Sequence, residues 1–186
     1  MNNTFIFLRH GKTKLDKALP IEEWDLTDEG KIAVENLAKT DKFDDVDVII
    51  SSDEKKAYLT VKPIADKLNK KIIKIKELGE IKRPNAESIT KEQYEEMKVK
   101  IFKDFDFSDY EWETANHALN RFKEGIDNIN KKYENKKILI GSHGTVMTLY
   151  FAYLQNKLDD IFARWKDLGF CDYGVIKDNR VVKDIV

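Results

Sequence analysis

The chain reads as an α/β fold: a three-layer sandwich with a mostly parallel central sheet flanked by helices and a β-hairpin at the C-terminus. Three observations predict it. Short apolar runs alternate with helical patterns through the first half, the order that builds parallel sheets. Two such runs, Thr4-Phe5-Ile6-Phe7-Leu8 and Ile138-Leu139-Ile140, lead into His-Gly pairs at His10-Gly11 and His143-Gly144. The tail carries Tyr173-Gly174-Val175-Ile176 and Val181-Val182 around Lys177-Asp178-Asn179-Arg180, a hairpin pattern.

Residues 4–8 form the first strand and residues 45–51 the second, and a helix follows each. Thr27 caps the first helix, with Asp28 and Glu29 beside the positive end of its dipole. Asp53 and Glu54 open the second, whose apolar stripe is Ala57, Val61, Ile64, Ala65 and Leu68. Pro63 falls inside that helix and is expected to kink or break it. Residues 71–75 read as a third strand. From 76 to 110 the chain turns charged and aromatic, with a turn over 82–85 and a helix expected over 90–102. This insertion is expected to cover a pocket, with Phe102, Phe105 and Phe107 shaping an apolar rim. A helical pattern over 110–133 precedes the second His-Gly strand, and another helix is expected over 145–155. No repeat, linker or low-complexity segment interrupts the pattern, so residues 1–186 are read as a single domain.

Composition excludes several functions. Lys and Arg number 33 against 34 Asp and Glu, a formal net charge of -1. Bulk electrostatics therefore does not favour nucleic acid or an anionic membrane, and any anion site must be local. The lysine pairs at 55–56, 70–71, 131–132 and 136–137 are scattered and form no nucleic-acid groove. The single Cys171 cannot close an internal disulfide, which points to a reducing compartment. The apolar run before Arg9 is too short for a signal peptide or a membrane span, so a soluble cytoplasmic protein is expected. Oligomeric state is not legible.

A histidine at the carboxyl end of a buried strand sits where open α/β sheets bind ligands. Gly11 is expected to let the backbone turn sharply into a helix, and two such histidines can converge on one pocket. Arg9, directly before His10, offers a planar fork that matches phosphate oxygens, and a helix start after Gly11 would add backbone N–H donors. No carboxylate or cysteine set with ligand spacing accompanies the histidines, so no metal is expected. A phosphate pocket is the better reading.

Leu8-Arg9-His10-Gly11 with Thr13 resembles the signature of the histidine phosphatase superfamily, the phosphoglycerate mutase-like family, and Ser142-His143-Gly144 resembles its second histidine motif. Between them, Leu26-Thr27-Asp28-Glu29-Gly30 is similar to the Leu-Thr-x-x-Gly step. Ser51-Ser52 with Ala57 and Thr60 is similar to the Ser-Ser-x-x-x-Arg-Ala-x-x-Thr segment. The resemblance implies a small phosphorylated substrate, no cofactor, and attack on phosphorus by His10 to give a phosphohistidine that water hydrolyses. It implies that Arg9, His143 and a third cation hold the phosphoryl oxygens, His143 as a cation or hydrogen-bond donor, with His10 neutral and its other ring nitrogen tied to a local carbonyl. It also implies an acidic proton donor after the third strand. Leu78-Gly79-Glu80 fits, Glu77 competes, and the donor is expected to carry a raised pKa. Thr13, Arg83 and Gly144 are the expected substrate-binding residues, although Thr13 can equally cap the helix after Gly11.

Two departures stand out. Lys56 occupies the family's second arginine position, keeping the charge without the bidentate fork. Weakened catalysis, or replacement of the missing guanidinium by Arg83, are the two consequences. Asp16 stands where phosphoglycerate mutases usually carry an asparagine, and a carboxylate there is expected to repel phosphate. Metal-independent phosphomonoester hydrolysis is therefore the favoured activity, against mutase-like phosphoryl transfer or a catalytically weak phospho-ligand binding protein. His117 is read as structural, and Trp24, Trp112 and Trp165 as core or lid packing.

Overall fold

Alternation of side chains along the strands decides the layering. The computed structural model describes residues 2–84, 90–109 and 111–186. Its strands are β1 (Thr4–Arg9), β2 (Val48–Ser51), β3 (Ile72–Lys74), β4 (Lys137–Ser142), β5 (Tyr173–Lys177) and β6 (Arg180–Lys183). They form one sheet in the order β3-β2-β4-β1-β5-β6. The pairs β3/β2, β2/β4 and β4/β1 are parallel, whereas β5 and β6 add antiparallel strands at one edge. The β5–β6 turn at Asp178 and Asn179 has φ of 50° and 58°, the left-handed conformation a two-residue hairpin with the sheet's twist requires.

The helices are α1 (Asp28–Lys39), α2 (Lys55–Lys67), α3 (Lys91–Lys103), α4 (Ala115–Lys132), α5 (Gly144–Gln155) and α6 (Ile161–Asp167). Ile6 and Leu8, Ile49 and Leu139 face the core that includes Ala38 of α1 and Val61 and Ile64 of α2. The alternate residues Phe5 and Phe7, Ile50, Ile138 and Ile140 face the larger core shared by α3, α4, α5 and α6. Phe7 is fully buried, with ring centroids 6.0 Å from Phe122 and 5.5 Å from Phe151. Truncating such a ring costs about 3 kcal/mol or more, through lost transfer energy and the cavity left behind.

Several elements depart from expectation. No helix follows Gly11: residues 11–20 run as a loop, tied by a bridge between Thr13 and Leu26. Pro63 does not end α2, which continues to Lys67 with Pro63 on its half-buried side. Helix α4 starts later than the apolar pattern suggests because Thr114 caps it, accepting the His117 N–H at 3.1 Å. Helix α6 had no clear signal. Asn85 and Tyr110, at the ends of an expected turn and helix, lie outside the described residues. Among the described residues no helix is long and apolar enough to cross a membrane.

Candidate active site

Adjacent parallel strands bring the two histidines together. In the β1/β4 register Arg9 lies opposite Ser142, and the His10 N–H donates to the Ser142 carbonyl at 3.0 Å. The next residues, His10 and His143, therefore leave the sheet side by side, with ring centroids 5.2 Å apart. Helix α2 holds this corner from below. A Cβ on Gly141 would lie 2.7 Å from Val61 Cγ1, so a glycine there lets α2 approach β4 closely. The Thr60 hydroxyl accepts the Gly11 N–H at 2.9 Å and donates to the Lys56 carbonyl at 2.7 Å. The Thr27 to Gly30 segment performs the same task for the loop. Thr27 N–H donates to the Lys12 carbonyl at 2.8 Å, and a Cβ on Gly30 would lie 2.4 Å from that oxygen.

His10 Nδ1 lies 2.9 Å from the Gly11 carbonyl, which accepts the ring proton and leaves Nε2 with its lone pair. Burial, then the neighbouring His143 ring, push the His10 pKa down to about 3, so the ring is neutral near pH 7. Thr13 borders the cavity, but its hydroxyl sits 3.3 Å from the same Gly11 carbonyl and 3.2 Å from His10 Nδ1. With no helix after Gly11 its capping role falls away. Arg9 donates through Nη1 to the Leu168 carbonyl and lies 4.4 Å from the centre of the Phe170 ring. Its buried Nε has no partner among the described residues. Gly144 passes directly beneath this guanidinium: a Cβ there would meet Arg9 Nε at 3.2 Å.

His143 caps α5 and is fully buried. Its Nε2 is 2.7 Å from Ser52 Oγ and 3.3 Å from Glu54 Oε1, and its Nδ1 has no partner among the described residues. Burial and the Lys56 charge hold its pKa well below the usual histidine range. The expected cation is therefore a neutral ring in the free protein. Lys56 is buried too, but its ammonium is committed to the Glu54 carboxylate and to the Ile21 carbonyl, the latter at 3.0 Å. Glu54, expected merely to open α2, turns inward: its Oε1 also accepts the Glu80 N–H at 2.6 Å. The sequence signal for it is the acid two residues before a lysine that replaces an arginine.

Glu80 lies against the start of α5, where Oε2 accepts the Thr145 N–H at 3.0 Å and Oε1 accepts Val146 N–H at 3.3 Å. Its expected raised pKa is not found. Burial pushes it up, but the Lys98 ammonium, the neighbouring His143 ring and N–H bonds from Thr145 and Ile81 outweigh burial and hold it down to about 2. Glu77 lines the same cavity. Sequence reasoning missed Arg121, which donates to the carbonyls of Glu77 and Gly79 at 2.9 Å and of Glu80 at 2.7 Å. Its other donors fork onto Glu113 at 2.7 and 2.8 Å. His117 is a mostly exposed partner of Glu113.

The cavity measures about 1200 Å³ and is lined by Arg9, His10, Lys56, Glu54, Glu80 and Arg83, among others. Arg83 stacks between Trp24 and Tyr94, at 5.7 and 4.9 Å from their ring centres, rather than beside Lys56. Asp16 accepts the Ala18 N–H at 3.1 Å and is not part of the lining, so its carboxylate is turned to its own loop and not into the cavity where it was expected to meet phosphate. Nor do Phe102, Phe105 and Phe107 form a rim; they pack into the larger core. Among the described residues no group of three or more His, Cys, Asp or Glu side chains is placed to hold a metal.

A sequence profile of the histidine phosphatase superfamily, branch 1, matches residues 5–174. No curated protein matches the chain. Among solved structures, a mycobacterial glucosyl-3-phosphoglycerate phosphatase complexed with inorganic phosphate superposes with a TM-score of 0.77 at 15% identity, covering 97% of this chain and 95% of the other. Bacillus stearothermophilus YhfR gives 0.78 at 19% identity, with 97% and 95% covered. A phosphoserine phosphatase variant from Entamoeba histolytica bound to phosphoserine gives 0.75 at 19%, with 97% and 94% covered. At these identities the likeness is one of fold, whereas the profile spans both His-Gly motifs and nearly all of the sequence between the termini. By that match the chain belongs to the histidine phosphatase superfamily, branch 1.

Proposed function

We propose that the protein hydrolyses small phosphomonoesters through a phosphohistidine on His10, without a metal ion. One observation carries this reading: the Gly11 carbonyl ties up His10 Nδ1 at 2.9 Å, so a neutral ring presents Nε2 to the cavity beside Arg9 and His143. Nε2 attacks phosphorus in line with the ester oxygen, forming the N–P bond as the P–O bond breaks. Arg9 lines the cavity as the cation open to the phosphoryl oxygens; Lys56 joins it by giving up part of its hold on Glu54, and the buried His143 ring stands beside His10, centroids 5.2 Å apart. Glu80 is the proton donor to the leaving alkoxide. It begins as a carboxylate, and an adjacent phosphoryl group disfavours that charge, so a proton carried in by the ester monoanion passes to it. Water then attacks phosphorus and gives its proton to the Glu80 carboxylate as the N–P bond breaks, restoring His10. The phosphorylated small molecules named for the structural neighbours are in keeping with the cavity's size.

A second reading, a catalytically weak phospho-ligand binding protein, is favoured by the commitment of Lys56 to Glu54. Turnover of a chromogenic phosphate ester with chelator present separates the two. We expect hydrolysis and an acid-labile phosphoenzyme, both lost in His10→Ala, with faster turnover in Lys56→Arg. Phosphate binding without turnover or phosphoenzyme across several esters would favour the second reading.

A further inference from the structure

Lys98 is a buried ammonium that the chemistry above does not use. Its residue is 0% exposed, in the α3 stripe formed with Tyr94, Met97, Ile101 and Phe102. A solvated lysine on that face would leave the helix unable to pack. Instead Nζ sits 5.1 Å from the ring centre of Tyr94, 5.4 Å from Trp112, 5.7 Å from Trp165 and 6.0 Å from Phe102. Four π faces surround it, from α3, α6 and the segment before α4. Its one hydrogen-bond acceptor among the described residues is Thr145 Oγ1, at 2.6 Å. Thr145 is also the residue whose N–H holds Glu80 Oε2. Ammonium and carboxylate thus approach the first turn of α5 together, and Glu80 and Lys98 each feel the other's charge.

We propose that Lys98 is a positioning residue for the phosphoryl chemistry, an internal counter-ion that sets when the Glu80 carboxyl takes up and gives back its proton. The proposal rests on Glu80 acting as the proton donor, and a mere packing role for Lys98 is its alternative. Other charges also face the pair: Arg9 and Arg83 carry like charge to Lys98, Tyr94 and His143 are titratable neighbours, Glu54 accepts the Glu80 N–H, and Arg121 donates to the Glu80 carbonyl. On the packed elements, Lys166 of α6 pairs with Glu95 of α3, and Arg164 with Asp184. The ammonium has little hold on its own proton: burial lowers its pKa to about 7, against the opposing pull of Glu80. Its influence on Glu80 is therefore present below about pH 7 and fades above it.

Lys98→Met keeps length and fits an aromatic surround while deleting the charge. The pH at which kcat falls as Glu80 loses its proton should move up by about one unit in this variant, with KM little changed. Wild type and variant should converge above about pH 8, where Lys98 is neutral. Lys98→Arg, which keeps a charge, should retain the wild-type limb below about pH 7. In a Glu80→Gln background Lys98→Met should move nothing. A parallel 13C NMR titration of the Glu80 carboxyl needs no activity: in wild type it should show an inflection near pH 7 that Lys98→Met abolishes. A wild-type protein that turns over no ester but shows that inflection would sink the hydrolase reading and keep the charge coupling. An unmoved limb, or a Glu80 carboxyl without the inflection, would overturn the proposal. The wild-type titration stands even if Lys98→Met does not fold.

Discussion

Replacing Glu54 by glutamine should lower stability and raise phosphate affinity at once. The side chains of Lys56 and Glu54 are only 5% and 7% exposed, so each relies on the other for its counter-charge. Glutamine keeps the oxygen that accepts the Glu80 N–H but removes the charge facing Lys56. An uncompensated ammonium then remains buried, at a cost of about 3 kcal/mol. The same change removes a negative charge 3.3 Å from His143 Nε2, in the wall of the proposed phosphate site. With an effective dielectric of about 20 and a separation of about 5 Å, that charge opposes each unit of phosphate charge by about 3 kcal/mol. Screening and the nearby Lys56 reduce this, and we take tenfold tighter binding, about 1.4 kcal/mol, as the least expected gain. Urea unfolding with and without inorganic phosphate, together with calorimetric binding, reads both effects. At a hundredfold excess over Kd, phosphate should restore about 2.7 kcal/mol to the variant. A Glu54→Gln protein as stable as wild type, with unchanged phosphate affinity, would refute the view that Glu54 consumes the charge of Lys56.

Stability should fall on acidification before any carboxylate protonates. His10 is held neutral down to about pH 3, while the unfolded chain protonates it near 6.5, so the unfolded state binds more protons in that window. Between pH 6.5 and 5 this amounts to about 2 kcal/mol. His143 acts in the same direction, and His10→Gln should flatten the slope seen in urea unfolding. Glu80 adds a further loss below about pH 4.5, since its folded pKa is depressed. Gly144→Ala places a methyl 3.2 Å from Arg9 Nε and should reduce kcat/KM at least tenfold with Tm nearly unchanged; equal activity would show that Arg9 can shift without consequence. Arg121→Met leaves the Glu113 carboxylate without its fork and frees the carbonyls of residues 77–80, at about 3 kcal/mol by chemical denaturation. Arg121→Lys should recover only part of that, since an ammonium cannot reproduce the planar fork.

What was legible in the sequence follows from local rules, and what was not follows from direction. Short apolar runs ending in His-Gly placed both histidines at neighbouring strand ends, because adjacent parallel strands end at one edge of the sheet. The Thr27 to Gly30 and Ala57 to Thr60 segments were recognisable as motifs. Only the contacts show that they fix the loop after His10 and do not touch the cavity. Glu54 does open α2, but its inward turn, like the outward turn of Asp16, was hidden: a carboxylate's position along the chain does not say whether it turns to a backbone N–H, to solvent or to a buried cation. Glu54 turned inward and Asp16 turned to its own loop. Lys98 did leave a signal, a lysine within the Tyr94, Met97, Ile101 and Phe102 stripe of α3, but a lysine-rich helix masks it.

The charges of the site show what a lysine does where an arginine is expected. Three carboxylates each have a cation: the buried Glu54 has Lys56, Glu113 has Arg121, and Glu80 has Lys98 close by across Thr145. Neither histidine supplies a charge in the free protein. Among the described residues this leaves Arg9, bound to a carbonyl and an aromatic face but to no carboxylate, as the cation at His10, with Arg83 further out over Trp24 and Tyr94. An arginine at position 56 could fork across Glu54 and a phosphoryl oxygen together, whereas the lysine's compact ammonium sits on the carboxylate and the Ile21 carbonyl. A phosphoryl group arriving beside His10 must therefore draw its neutralising charge from Arg9, from protons it brings with it, or from the Glu54–Lys56 pair. Of these, only the last is set by a departure from the family's motif, and it makes Glu54 as decisive for the chemistry as the substituted lysine itself.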